Sequence, residues 1–79
     1  MCLAVPGQVV EISDAERELA KVSIGGVQRE VNISLVLEEG EAPEGLLGQW
    51  VVVHVGFALS RLSPEEAEET LRLIDALSR

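Results

Sequence analysis

Apolar and polar positions alternate through most of the chain and change to a helical period only near its end. Pro6-Gly7 opens a run from Gln8 to Ile12 in which Val10 and Ile12 fall on one face and Glu11 on the other, the period of a strand. Ser13 to Arg17 is polar and reads as a turn. Ala20, Val22 and Ile24 then alternate with Lys21 and Ser23, Gly25-Gly26 follows, and a further run extends from Val27 to Ile33. Two alternating runs joined by Gly-Gly predict a hairpin, because tight hairpin turns need positive φ. Ser34 to Leu37 fits either a strand extension or a turn of helix. Glu38 to Gly45 is acidic and broken by Gly40 and Pro43, so it predicts a loop. Trp50 to Val55 is dense in β-branched residues and predicts a strand buried on both faces. Gly56 interrupts the pattern before Phe57-Ala58-Leu59, as at a bulge or a barrel corner.

Ser63-Pro64-Glu65-Glu66 marks a helix start: a capping serine, proline at the first helical position, and a glutamate placed to close a capping box. The two glutamates also suit the positive end of the helix dipole. Ala67, Leu71, Ile74 and Leu77 recur at helical spacing and form one apolar face. Five short strands followed by one helix predict a mainly β fold, a small antiparallel β-barrel of OB-fold-like or SH3-like size with a C-terminal α-helix. One domain over residues 1–79 is expected, with the barrel over about 5–60 and the helix over about 64–78. Only 3% of residues are aromatic, so the core must rest on Val, Leu, Ile and Ala.

Charge removes several classes of partner. Fourteen acidic residues against six basic give −8, and no Lys/Arg cluster interrupts that field. Nucleic acid and anionic membrane surfaces both need clustered positive charge, so neither is expected. No apolar run approaches the roughly 20 residues that span a bilayer, and the N-terminus lacks the basic and long apolar segments of a secretory signal. The single cysteine allows no internal disulfide, which suits a reducing compartment. A cytoplasmic location is the expectation.

The chain lacks phosphate-binding and dinucleotide glycine loops, a Cys-x-x-Cys pair, a His-Glu-x-x-His motif and a nucleophile elbow. One Cys and one His are too few for a closed structural zinc site. Catalysis by this chain alone is therefore not expected. Cys2 has two readings: a dispensable tail residue, or a soft thiolate ligand for iron, copper or zinc. Removal of Met1 would add a free amine beside the thiol, enough to close a five-membered chelate. His54 is either a half-buried histidine bonded to backbone or a neutral metal ligand. Alternation places it on the face of Trp50 and Val52. The acidic run is a solvated loop on its composition, and the helix face is a lid on the core or a docking surface for a partner's groove. Pro6-Gly7 is an ordinary turn into the strand or a device that aims the tail.

Two blocks carry a family resemblance. Met1-Cys2-Leu3-Ala4-Val5-Pro6-Gly7-Gln8-Val9 resembles the opening of the HypC/HupF/HybG hydrogenase maturation chaperones, which start Met-Cys, apolar, small, apolar, Pro-Gly. Val52-Val53-His54-Val55-Gly56-Phe57-Ala58-Leu59 is similar to their second block, Val-His-x-Gly-Phe-Ala. The similarity spans essentially the whole chain. Gln49 departs from it, standing after Gly48 where many members carry Asp. The resemblance implies an OB-like barrel with a C-terminal helix. It also implies an accessory, non-enzymatic role in [NiFe]-hydrogenase maturation. The partners it implies are the HypD maturation protein and then the hydrogenase large-subunit precursor. The cargo it implies is iron carrying cyanide and carbon monoxide, held transiently as Fe(CN)2CO and shared with HypD. Carried over residue by residue, Cys2, Leu3, Val5, Pro6 and Gly7 would meet the partner, and Cys2 with His54 would meet the metal. The competing reading is a small protein-interaction module with no metal role.

Overall fold

The computed structural model describes residues 4–77. Five strands, β1 (Val5–Asp14), β2 (Leu19–Ile24), β3 (Val27–Asn32), β4 (Trp50–His54) and β5 (Phe57–Leu62), precede one helix, α1 (Pro64–Leu77). A 3-10 turn at Pro43–Leu46 leads towards β4. The strands close into a barrel in the order β1-β2-β3-β5-β4. The mainly β barrel with a terminal helix agrees with the alternation in the sequence. Its pairings are antiparallel except the closing one, where β3 meets β5 in parallel through Asn32 and Phe57.

The long first strand serves two neighbours. Its start pairs with β4, from Val5 opposite Val53 to Gln8 opposite Trp50. From Gln8 onward it pairs with β2, with irregularities between Val9 and Glu11 and between Ile12 and Asp14. Those irregularities correct the expected facing. Val9 is 1% exposed and belongs to the core, whereas Val10 is 41% exposed. A bulge inserts a residue and shifts the period, so simple alternation fails across it.

Pro6 and Gly7 lie inside this strand rather than in a turn before it. A Cβ on Gly7 would crowd Val22 Cγ1, and would stand 2.9 Å from Ile24 Cγ1 and 3.1 Å from the Ser23 carbonyl oxygen. Gly7 thus supplies space where β1 and β2 approach, and its conformational freedom is not what the fold uses.

The core is aliphatic, as the scarcity of aromatics requires. It gathers Val9, Ala20, Val22, Val31, Ile33, Val36, Leu46, Val51, Val53 and Ala58. Leu46 enters it from the 3-10 turn and is fully enclosed. The strand at Trp50–His54 is buried on one face only: Val51 and Val53 point inward, while Trp50, Val52 and His54 are half-buried. Ser34 to Val36 is a turn, closed by the Val36 amide donating to the Ile33 carbonyl at 3.2 Å. Asn32 Oδ1 fixes it, accepting from the Ser34 amide at 2.9 Å and from Ser34 Oγ at 2.6 Å.

The predicted capping box forms at the start of α1. The Glu66 amide donates to Ser63 Oγ and the Ser63 amide donates to Glu66 Oε1, each at 3.1 Å. Those bonds hold the Glu66 carboxyl below the usual carboxylate range, the backbone N–H of Ser63 contributing most. The helix packs on β1, β4 and β5. Ala67 is fully buried, Leu71 is 37% exposed and Leu77 is 85% exposed, so the apolar face leaves the barrel towards its far end.

Candidate functional site

Strand pairing decides what stands beside His54. The pairs run Gly7 with Val51, Pro6 with Val52, and Val5 with Val53. Each step towards the N-terminus on β1 is one step towards His54 on β4. Continued by one residue, the register sets the exposed Ala4 level with His54. The seam is anchored at its other end. The Val9 amide donates to the Gln49 carbonyl and the Gly48 amide donates to the Val9 carbonyl, both at 2.9 Å. Gln8 Nε2 adds a bond to the Gly48 carbonyl at 3.2 Å.

His54 ends β4 and pairs with Phe57 across the hairpin, on the outer face. The residue is half-buried, and among the described residues no side-chain hydrogen bond to it is found. Val55 and Gly56 make the turn between the pair, with φ of 51° and 79°. Gly56 is therefore a hairpin turn residue and not a bulge. The irregularity lies between Val52 and Val53 and leaves Leu59 of β5 without an opposite residue.

Of the residues the sequence nominated, Val5, Pro6, Gly7 and His54 are brought to one end of the β1–β4 seam. Cys2 and Leu3 lie outside the described residues. Among the described residues no group of three or more His, Cys, Asp and Glu is placed to hold a metal ion. No Asp, Glu, Lys or Arg occurs from Gly45 to Ser60, so the ribbon that carries His54 is uncharged until Arg61 near the end of β5.

Sequence reasoning missed one ionic contact. Arg61 Nη2 of β5 donates to Glu41 Oε1 of the acidic loop, with side chains 30% and 24% exposed. Glu41 also accepts from the Glu38 amide at 3.1 Å. The guanidinium foremost, and then that amide, hold the Glu41 carboxyl below its ordinary range, while the carboxylate raises Arg61 above its own. The acidic run is thus a surface loop with one member enlisted to pin it. A partner 20 positions away gives no local signal in the sequence.

The two blocks that frame this seam also place the chain among known proteins. A family model described as the HupF/HypC family matches residues 1–74. The chain belongs to that family. The Frd operon uncharacterized protein C of Proteus vulgaris is 53% identical to it over 77 residues, covering 98% of this chain and 78% of that protein. The hydrogenase maturation factor HybG of Escherichia coli (strain K12) is 49% identical over 71 residues, 90% of this chain and 84% of HybG. The hydrogenase maturation factor HypC of Rhodobacter capsulatus is 47% identical over 75 residues, 94% of this chain and 75% of HypC. Maturation factors are accessory proteins rather than catalysts, in agreement with the expectation that this HupF/HypC member is not an enzyme. No helix of the described residues is long and apolar enough to cross a membrane.

Proposed function

We propose that this HupF/HypC member is a cytoplasmic accessory chaperone of [NiFe]-hydrogenase maturation. In this reading it binds the HypD maturation protein, then the precursor of the hydrogenase large subunit, and helps assemble and deliver the Fe(CN)2CO centre. Cys2 is the exchangeable handle, Leu3, Val5, Pro6 and Gly7 guide it to the partner, and His54 stands beside it.

The observation that carries the reading is the β1–β4 register. Val5 opposite Val53 brings the start of β1 to the end of β4 that bears His54. Cys2 precedes Ala4 by two residues, and two residues of chain reach at most about 7 Å. In this reading one thiolate and one imidazole share a neighbourhood although 52 positions separate Cys2 from His54 in the sequence.

The chemistry asks for such an arrangement. A carrier must hold iron and then give it up, so it needs few protein ligands and open coordination positions. A thiolate and an imidazole supply two, which leaves room for diatomic ligands and for groups of the partner. Transfer is ligand exchange: a sulfur of the recipient takes the place of the Cys2 thiolate, with no change in the electron count at the metal. An uncharged ribbon beside the site keeps surrounding carboxylates from competing for the iron.

The test is co-purification of the wild-type chain and Cys2→Ala with HypD, followed by iron analysis and infrared spectroscopy. The expected result is a complex with iron and with cyanide and carbon monoxide bands for the wild type, and loss of both for Cys2→Ala at unchanged melting temperature. Normal capture of HypD and iron by Cys2→Ala overturns the reading.

A further inference from the structure

Strand β3 is paired along its whole length on one side and at a single residue on the other. β2 meets it from Leu19 opposite Asn32 to Ile24 opposite Val27. β5 meets it only where Asn32 stands beside Phe57. Two bonds show which main-chain groups this leaves open. The Ile33 amide donates at 2.8 Å to the carbonyl of Glu18, just before β2, and the Asn32 amide donates at 2.9 Å to the carbonyl of Gly56, just before β5. Successive residues of a strand direct their main-chain groups to alternate sides. Gln28 and Glu30 therefore direct theirs as Asn32 does, away from β2. Val27 to Glu30 are exposed, and among the described residues no hydrogen bond reaches the main chain of Gln28 or Glu30 on that side.

A cation stands at the same edge. Arg17, Lys21, Arg61 and Arg72 each meet a carboxylate, those of Asp14, Glu11, Glu41 and Glu68. Arg29 meets none among the described residues, in a chain with fourteen acidic residues to six basic. It lies opposite Val22, and the neighbouring Glu30, on the other face, lies opposite Lys21. We propose that the open edge of β3 over Val27–Val31 takes an extended segment of the maturation partner that meets Cys2 as an added strand. The main chain of Gln28 and Glu30 bonds that segment, and Arg29 receives a carboxylate from it. This deepens the function proposed above and rests on it.

A row of alternating donors and acceptors fits another main chain. A second copy is the occupant that the side chains oppose. Gln28 opposite Glu30 of an antiparallel copy would set Arg29 against Arg29, and Glu30 opposite Glu30 would set carboxylate against carboxylate. Gln28 opposite Gln28 would bring Glu30 against the Gly26 turn, leaving one bonded pair. A different strand with an acidic residue beside Arg29 meets none of these conflicts. The edge also reaches the end of the barrel that bears His54, since Asn32 bonds Gly56. Gln28 is only about 13–14 Å further along the strand, so one partner can cover both.

The test measures amide hydrogen exchange in the full chain, alone and with purified HypD, together with HypD affinity and melting temperature for wild type, Gln28→Pro, Arg29→Glu and Cys2→Ala. In the free protein the Gln28 and Glu30 amides should exchange fast while those of Arg29 and Val31, which face β2, are protected. HypD should slow exchange at Gln28 and Glu30 by about tenfold or more. Gln28→Pro removes an N–H that the fold does not use, as an edge strand tolerates, and should lower affinity roughly tenfold with little change in melting temperature. Arg29→Glu should lower it by a similar factor and keeps the test decisive if the proline variant does not fold. Unchanged exchange at Gln28 and Glu30 in the complex, with binding lost in Cys2→Ala, overturns the added strand and leaves the chaperone reading standing. Wild-type affinity in Arg29→Glu and in folded Gln28→Pro does the same. Failure of the wild type to bind HypD overturns both. Self-association that protects the same two amides without HypD assigns the edge to a second copy and overturns the proposal.

Discussion

Gly7→Ala should destabilise the barrel without touching any polar group. The added methyl would crowd Val22 Cγ1 and would sit 2.9 Å from Ile24 Cγ1 and 3.1 Å from the Ser23 carbonyl oxygen. Ile24 is half-buried and can yield, but Val22 is fully buried and the carbonyl belongs to the β2 backbone. Overpacking of this kind costs about 1–3 kcal/mol. Replacing glycine by alanine restricts the unfolded chain and returns about 0.4–1 kcal/mol. The net expectation is a loss of about 1–2 kcal/mol, hence a melting temperature lower by roughly 4–16 °C for a domain of this size. Circular dichroism melts and urea titration of both proteins measure it. If the two melt within a degree of each other, β1 and β2 can separate freely at this point, and close approach is not why the position is glycine. Because Gly7 adjoins the candidate site, HypD binding should be compared at a temperature where both proteins are folded. There the loss should be small, since the residue acts by spacing two strands.

Leu46→Ala should be more severe. The side chain is fully enclosed, such truncations cost about 2–5 kcal/mol, and a chain of this length has about 4–12 kcal/mol in total; a urea midpoint near that of the wild type would remove Leu46 from the core. Glu41→Gln should loosen the acidic loop, seen as faster hydrogen exchange at the Glu38 amide. The native Glu41 carboxyl titrates below its ordinary value, so the stabilisation is complete above the ordinary carboxylate range and is lost as pH falls through the lowered value. Exchange in wild type and Glu41→Gln should therefore differ at neutral pH and converge in acid; a difference that persists in acid would show that charge is not what holds the loop.

Much of the architecture is legible in local pattern. Alternation at Ala20, Val22 and Ile24, the Gly25-Gly26 turn and the Ser63–Glu66 box each depend on neighbours in sequence, and each is found where the pattern puts it. What the pattern missed depends on distant partners. Val9 rather than Val10 faces the core because β1 changes partner around Gln8 and the register slips. Gly56 reads as an interruption within a strand because valine is a poor signal for a left-handed turn, so Val55 hides the hairpin. The space at Gly7 is created by β2, and the partner of Glu41 is on β5. The candidate site is legible in the same uneven way. His54 stands out as a lone histidine on an alternating strand, but its nearness to the start of β1 exists only once Val5 has found Val53.

The distribution of charge ties the fold to the proposed work. The ionic groups that the fold uses, Glu41 with Arg61 and Glu66 in its cap, come from the acidic loop, from β5 where Arg61 pairs with Val51 one strand beyond the seam, and from the start of α1. The seam and the hairpin beyond it carry no charged side chain from Gly45 to Ser60. Long-range attraction and close contact are thereby given to different parts of one surface. The acidic remainder can steer a basic partner through solvent at little desolvation cost. The apolar ribbon can then be buried without stranding a charge. Under the proposed function, a site that must open a metal's coordination sphere gains from this ribbon, because a stretch without carboxylates offers none to compete with the Cys2 thiolate for iron or to be dehydrated each time a partner arrives or leaves.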